Sequence, residues 1–287
     1  RERPLLADKV LAGWNGLMIA ALARGAWVLG APEYAEAAGK AARFVRERMK
    51  APEGRLLHRY REGEAAIPAY LDDYAFMIWG LIELYGATFE PRWLEEALSL
   101  AGEMKRLFAD GEKGGFFFTG NDAEKLIVRT KEIYDGAVPS GNSVAALCLT
   151  KLGRMTGRPG LESIADDLLR EFSGQISGSP TAYTQMLIAL DFALGPAREY
   201  VIACEPGDGK AGMMLREIAE RFMPRSVVLL RPAEGGPVTG IVPMLEGMTA
   251  AGGKPTAYIC EEYACAEPAV GIEEFRKRLL EMERENE

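Results

Sequence analysis

The chain has 287 residues, of which 48% are hydrophobic, and it carries a net charge of −8 with one histidine and four cysteines. This length and apolar content suffice for one or two domains with a sizeable core. The acidic balance, without a basic cluster, argues against nucleic acid as the main partner, because phosphate binding needs clustered Lys and Arg. No apolar run approaches the roughly 20 residues of a membrane span. Four cysteines in so long a chain do not make a disulfide framework, so a reducing cytoplasm is the expected compartment.

The first predicted element is a helix that begins at Trp14 and Asn15 and runs to Leu29 with Arg24 as its only charge. A helix that is apolar almost all round is a buried helix. The next helix, over residues 33–50, has one apolar and one charged face, which is typical of a surface helix. The two together predict an inner helix shielded by an outer one.

The same alternation recurs along the chain. Buried helices are predicted over residues 71–88, from 140 onward and over 181–194, and amphipathic helices over 91–109 and 159–172. This is an internal repeat of helix pairs with loops of variable length. It predicts a double ring in which the inner helices run parallel, so that their polar N-termini gather at one end.

The pattern changes period after Pro196. Strands are predicted over residues 200–204, 226–230 and 256–260, helices over 212–223 and 272–282, and a Gly- and Pro-rich loop over 232–255. Strands that alternate with helices indicate a small sheet that is at least partly parallel. The sequence therefore predicts a helical array over residues 1–196 and a small α/β region over 197–287.

Polar and aromatic residues mark the inner-helix starts and the loops before them, and we expect them to line one cavity that suits a sugar ring. Asp73, Asp135 and His58 are the candidates for proton transfer. The candidates for substrate contact are Trp14, Asn15, Tyr74, Arg129, Lys131, Tyr134, Ser140, Asn142 and Tyr183. The motifs predict no cofactor or metal, since there is no phosphate-binding glycine loop and Cys260-x4-Cys265 is a weak metal or redox signal.

Each candidate also has a structural interpretation. Asp72 is most simply a helix cap, because Asp, Asn, Ser and Thr are the preferred capping residues. His58, the only histidine, could be a hydrogen-bonded structural residue. Asp135 could close a turn, and Glu132 could pair with Arg129 on a surface.

Three long motifs carry a family resemblance. DKVL followed by WNGLMI (residues 8–19), LDDYAF (71–76) and YDGAVPSGNS (134–143), with the closing Cys260-x4-Cys265-x2-Pro268, resemble the thioredoxin-domain-containing, spermatogenesis-associated protein family. The resemblance implies a mostly α fold, an incomplete (α/α)6 toroid of helical hairpins similar to six-hairpin glycosidases and N-acylglucosamine 2-epimerases, followed by a small α/β appendage. Because the chain opens with Arg1 rather than Met, we expect it to begin inside a longer protein. Five of twelve toroid helices and a thioredoxin-like domain of the same parent chain would lie upstream.

The resemblance leaves the reaction open. A glycoside hydrolase or lyase would use two carboxylates, for which Asp73 with Asp135 or with Glu132 could serve. A sugar 2-epimerase would use two histidines as acid and base, of which this chain has one. The alternative is a non-catalytic module that presents a protein or sugar client to the thioredoxin-like domain.

Overall fold

Helical hairpins form the first part of the chain in the computed structural model, which describes residues 7–205, 207–262 and 264–285. The helices are α1 (Ala12–Leu29), α2 (Pro32–Arg48), α3 (Leu71–Thr88), α4 (Pro91–Phe108), α5 (Gly141–Thr156), α6 (Pro159–Glu171), the short and unpredicted α7 (Ser173–Gly178), and α8 (Thr184–Leu194). The predicted alternation of inner and outer helices is confirmed. Helices α1, α3, α5 and α8 are the inner ones.

Proline and glycine residues explain where several of these helices begin and end. The outer helices α2, α4 and α6 each start at a proline, whose missing N–H costs nothing in the first turn. Helices α1 and α5 end at Gly30 and Gly157, whose φ values of 65° and 64° are in the left-handed region that glycine tolerates. No helix among the described residues combines the length and apolar content needed to cross a membrane.

Each inner helix packs against the next, α1 on α3, α3 on α5 and α5 on α8. The closest approach is at Gly16, where an added Cβ would lie 2.4 Å from the backbone carbonyl carbon of Phe76. The reciprocal position on α3 is Gly80, whose added Cβ would lie 2.7 Å from the carbonyl oxygen of Gly16. These two glycines therefore let the backbones of α1 and α3 touch.

The Gly16→Ala variant is expected to lower the free energy of unfolding by about 1–3 kcal/mol, because the extra methyl group meets backbone that cannot move aside. The matched control is Gly86→Ala on α3, where an added Cβ meets nothing within 4 Å. That variant should be neutral or slightly stabilising, since alanine favours helix by up to about 1 kcal/mol. Urea unfolding measures both, and equal stability of the two variants would contradict the close packing.

Three segments differ from the predicted elements. Residues around His58, expected in a loop, form a small antiparallel sheet of β1 (Val10–Leu11), β2 (Leu57–Arg61) and β3 (Glu64–Pro68). Helix α1 begins before Trp14. Helix α8 begins at Thr184, because Pro180–Ala182 forms a separate 3-10 turn at the predicted start.

The predicted small sheet follows α8. Its elements are β4 (Arg198–Cys204), α9 (Gly209–Ala219), β5 (Ser226–Pro232), α10 (Pro237–Ile241), β6 (Thr256–Glu261), β7 (Ala264–Cys265), β8 (Ala269–Val270) and α11 (Ile272–Glu285). The order is β5-β4-β6-β7, with β8 beside β6; β4 is parallel to β5 and antiparallel to β6. The loop predicted before β6 in fact holds α10 and a 3-10 turn over Pro243–Gly247.

The two faces of this sheet contact different parts of the molecule. Val201 on β4 belongs to the large core that extends into the helical array. Its neighbours Tyr200 and Ile202 belong to a smaller core with α9 and α11. Because side chains alternate along a strand, Glu199 shares the face of Val201 and points toward the helices.

The helical array has two apolar faces that nothing in the described part of the chain covers. Trp14, Met18 and Leu29 are exposed on α1, and Ile188 and Leu194 are exposed on α8. These helices are the first and last inner helices, so the array is an arc with two open ends rather than a closed ring.

Candidate functional site

The starts of the inner helices meet around the carboxylate of Asp73. This side chain is buried at the start of α3, where its Oδ1 accepts a hydrogen bond of 2.8 Å from the backbone N–H of Gly13 on α1. Its Oδ2 accepts one of 2.9 Å from the N–H of Tyr70 and lies 2.8 Å from Nδ1 of His58. Asp73 thus ties α1, α3 and the β2 strand together.

His58 is held in one orientation by this contact. Its Nδ1–H donates to Asp73, and its ring packs edge-on against Tyr70 with 5.2 Å between the ring centroids. The hydrogen bond that His58 donates to Asp73 raises the pKa of His58 above its usual 6.5, and burial opposes the rise. The orientation leaves Nε2, on the other edge of a partly exposed ring, for another partner.

Asp72 lies beside this pair and does not cap the helix. The N-cap residue of α3 is Tyr70, and it is Asp73 that accepts the capping N–H. Asp72 is partly buried against Gly141 at the start of α5, where an added Cβ would come within 2.4 Å of Asp72 Oδ1. Burial raises the pKa of Asp72 to about 6, and the backbone of Gly141 opposes the rise.

Other charges and rings complete the cluster that we call the His58–Asp72 site, made of His58, Asp72, Asp73, Tyr70 and Glu132. The negative charges of Asp73 and Glu132 raise the pKa of Asp72 further. Tyr70 stacks on Phe118 with 4.9 Å between centroids. A flat aromatic pair therefore stands next to two groups that can exchange protons near neutral pH.

Asp135, expected to transfer protons, is occupied by backbone donors instead. Its Oδ1 accepts the N–H of Ser140 at 2.9 Å, and its Oδ2 accepts those of Gln185 and Met186 at 2.8 and 3.1 Å. These bonds fasten the loop before α5 to the first turn of α8. A carboxylate that satisfies three N–H groups is structural in this geometry.

The predicted convergence of Arg129 and Lys131 on the cavity is wrong. Arg129 lies over the ring of Phe117 and donates to the carbonyl oxygens of Thr119 and Leu107, so it does not pair with Glu132. Lys131 forms an ion pair of 2.7 Å with Asp110. Both side chains therefore stabilise the loop between α4 and α5.

Three more expected ligands are internal supports. Asn142 is fully buried and bonds both backbone groups of Phe116. Ser140 caps α5 by accepting the N–H of Ser143. The hydroxyl of buried Tyr74 accepts a hydrogen bond from Arg55 and donates one to Glu103.

The remaining four expected contacts lie nearer the surface. Trp14 and Tyr134 are 66% and 60% exposed. Asn15 donates to the carbonyl oxygen of Leu11, and Tyr183 is half-buried as the N-cap of α8. Of the twelve predicted site residues, only Asp73 and His58 are joined by a hydrogen bond between their side chains, whereas Asp135 accepts the backbone N–H of Ser140.

A second polar group lies at the opposite ends of the same helices. Glu83 on α3 accepts a hydrogen bond of 2.9 Å from Lys151 on α5 and lies 3.8 Å from Arg24 on α1. These cations lower the pKa of Glu83 despite its burial. The three side chains line a cleft between the helical array and β5. Periodicity did not single them out, because each is an isolated charge in a mostly apolar inner helix. Among the described residues, no three His, Cys, Asp or Glu side chains are arranged to hold a metal ion.

Comparison with known sequences finds related proteins in several animals. Spermatogenesis-associated protein 20 from Homo sapiens and from Rattus norvegicus is 32% identical over 292 aligned residues, which cover 97% of this chain. The chain spans only 37% of the length of these relatives. An uncharacterized protein of Caenorhabditis elegans is 26% identical over 96% of the chain. No protein-family model matches.

Solved structures with a similar backbone are (α/α)6 toroids. The GH76 α-mannanase of Bacteroides thetaiotaomicron superposes with a TM-score of 0.54 at 15% identity, over 76% of this chain and 59% of the mannanase. The cellobiose 2-epimerase of Spirochaeta thermophila gives a TM-score of 0.50 at 17% identity, over 61% of this chain and 46% of the epimerase. At these identities the likeness establishes the fold, and the chain is an incomplete toroid followed by a small sheet region.

Proposed function

We propose that this chain, which is 32% identical to part of spermatogenesis-associated protein 20 and folds as part of an (α/α)6 toroid, binds a carbohydrate at the His58–Asp72 site and transfers protons to and from it. The observation that carries the proposal is the hydrogen bond between His58 and buried Asp73, with Asp72 alongside. Sugar-processing enzymes with this fold, an α-mannanase and a cellobiose 2-epimerase, support the substrate class.

The chemistry of the two groups supports acid–base catalysis. An orienting carboxylate fixes the histidine tautomer and leaves Nε2 as the exchanging atom. Asp72, with its pKa raised to about 6, is a second group of comparable proton affinity. A pair of this kind can take a proton from one atom of a sugar and return one to another. It also removes the need for a second histidine, which an epimerase-like reaction would otherwise require.

The two-carboxylate scheme is less well supported. It needs Asp73 with Asp135 or with Glu132. Asp73 and Asp135 both have their oxygens committed to backbone N–H groups in the starts of helices. Glu132 is exposed and accepts the N–H groups of Ile133 and Tyr134 through Oε1. The proposal therefore assigns Asp73 to positioning and Asp72, with His58, to proton transfer.

We expect at least one of two disaccharides, cellobiose or mannobiose, to bind the wild-type protein in a calorimetric titration. In deuterated water, proton transfer at a carbon atom of the bound sugar replaces hydrogen by deuterium, which NMR detects. Hydrolysis instead converts the disaccharide into shorter sugars. The His58→Gln and Asp72→Asn variants should lose turnover by about 100-fold or more, the usual contribution of a positioned acid or base.

The matched control is Asp110→Asn, which removes an acid that pairs with Lys131 away from the site. It should bind and turn over sugar as the wild type does. Binding that is unaffected by His58→Gln and yields no product would favour the non-catalytic module. Absence of binding by either sugar would contradict the proposed substrate class.

A further inference from the structure

A disulfide bond lies at the far edge of the small sheet. Antiparallel pairing of β6 with β7 places Cys260 opposite Cys265, and the two sulfurs are bonded. Cys260 is completely buried, whereas Cys265 is exposed. The other two cysteines, Cys148 and Cys204, are free and buried. Solvent therefore reaches this disulfide from one side, at the sulfur of Cys265.

A buried carboxyl group stands on the other side of the same bond. The register of β4 with β6 places Glu199 directly opposite Cys260, so the two side chains project from the same face of the sheet as neighbours. Glu199 is 1% exposed. Strand pairing thus sets a row of Glu199, Cys260 and Cys265 from the interior to the surface.

The surroundings of Glu199 keep it able to hold a proton. Burial raises the pKa of Glu199 to about 7, and Arg154 on α5, 3.6 Å away, opposes the rise. The negative charges of Glu162 on α6 and Glu261 on β6 raise the pKa of Glu199 further. A carboxyl group whose pKa lies near neutral pH can both give and take a proton.

We propose that Cys260–Cys265 is a thiol–disulfide exchange site that accepts electrons from a dithiol, with Glu199 as the proton donor to Cys260. A thiolate of the dithiol attacks the exposed sulfur of Cys265 and forms a mixed disulfide. The bond between Cys265 and Cys260 breaks, its electron pair goes to Cys260, and the carboxyl proton of Glu199 converts that thiolate to a thiol.

The second thiol of the dithiol completes the reaction. As a thiolate it attacks its own partner sulfur in the mixed disulfide and releases Cys265 as a thiolate, which takes a proton from water. The dithiol is oxidised to a disulfide, and the protein gains two thiols. A dithiol is required because a single thiol would leave Cys265 in a mixed disulfide.

Dithiothreitol is the probe that tests this proposal on the folded chain. After quenching with iodoacetamide, mass spectrometry should find exposed Cys265 labelled, and the buried Cys148, Cys204 and Cys260 unlabelled as long as the fold persists. Divided by the concentration of dithiothreitol thiolate, the rate for the wild type should fall as pH rises through about 7, because Glu199 loses its proton.

The Glu199→Gln variant should be about 10- to 100-fold slower below pH 7 and show no such fall, because an amide cannot supply the proton. The matched control is Glu267→Gln, which changes an exposed carboxylate two residues after Cys265 and should follow the wild-type profile. Reduction that occurs only in denaturant would show a purely structural bridge. A flat wild-type profile, or one shared with Glu199→Gln, would overturn the role of Glu199.

Discussion

The Asp73→Asn variant is expected to lose about 2–4 kcal/mol of folding free energy. Asparagine can still accept the N–H of Gly13 through its oxygen, but its NH2 group then faces the N–H of Tyr70 and Nδ1 of His58. Donors that face one another in a buried place leave at least two groups without partners, and each costs about 1–3 kcal/mol. Urea unfolding at fixed pH measures the loss.

The same variant is expected to lower the pKa of His58 toward or below 6.5, because the hydrogen bond that His58 donates to Asp73 is the main cause of its elevation. His58 is the only histidine of the chain, so its ring protons in an NMR titration are unambiguous. A histidine whose pKa is raised on folding adds stability below its unfolded pKa and loses that contribution as pH rises through the folded value. The cost of Asp73→Asn should therefore be largest below pH 6.5 and smaller at pH 8.

His58→Gln provides the control for this pH dependence. It leaves Asp73 in place to accept from Gly13 and Tyr70, and it removes the group whose titration is at issue. The charge of Asp73 also raises the pKa of Asp72, so Asp72→Asn is combined with His58→Gln. In that double-variant background, Asp73→Asn should cost the same free energy at pH 5.5 and at pH 8. An unchanged pKa of His58 in Asp73→Asn would disprove the coupling between the two side chains.

The order of helices was predictable because burial leaves a periodic signal in sequence. An inner helix such as α3 is apolar on all sides, and the helix after it shows a single stripe. The β2 strand escaped prediction because its sequence, Leu57–Arg61, has no apolar alternation. It is held by tertiary contacts, such as Tyr60 against Phe44 on α2, and those depend on residues that are distant in sequence.

The site was harder to predict than the fold because a polar residue at a helix start has two uses. Asp135 and Asn142 have residue types that often bind ligands. In the structure, however, the carboxylate of Asp135 accepts backbone N–H groups, and the amide of Asn142 forms hydrogen bonds with the backbone of Phe116. The partners of Asp135 on α8 are 50 and 51 residues away, so no local pattern reports them. Between the adjacent Asp72 and Asp73, only the direction of the side chain decides which one accepts backbone N–H groups and which one faces the start of α5.

Because Asp72 and Asp73 have these different surroundings, Asp72→Asn is expected to increase the free energy of unfolding at neutral pH, whereas Asp73→Asn decreases it. The pKa of Asp72 rises from 3.8 to about 6 on folding, so between these values the folded chain keeps a proton that the unfolded chain has lost. The folded state then binds more protons, and stability falls as pH rises from about 4 to past 6. A rise of this size corresponds to at most about 3 kcal/mol, reduced by the partial exposure of the side chain.

Asparagine does not titrate, so Asp72→Asn should escape that loss. Its free energy of unfolding, relative to the wild type, should increase by about 2 kcal/mol between pH 4.5 and pH 7.5. Because the charge of Asp72 also raises the pKa of His58, the comparison is made in a His58→Gln background, in which the histidine makes no contribution. A gain in stability together with a loss of sugar turnover would mark Asp72 as a group kept for function at the expense of the fold. A difference that is independent of pH would show instead that Asp72 is not desolvated in the folded chain and has no raised proton affinity.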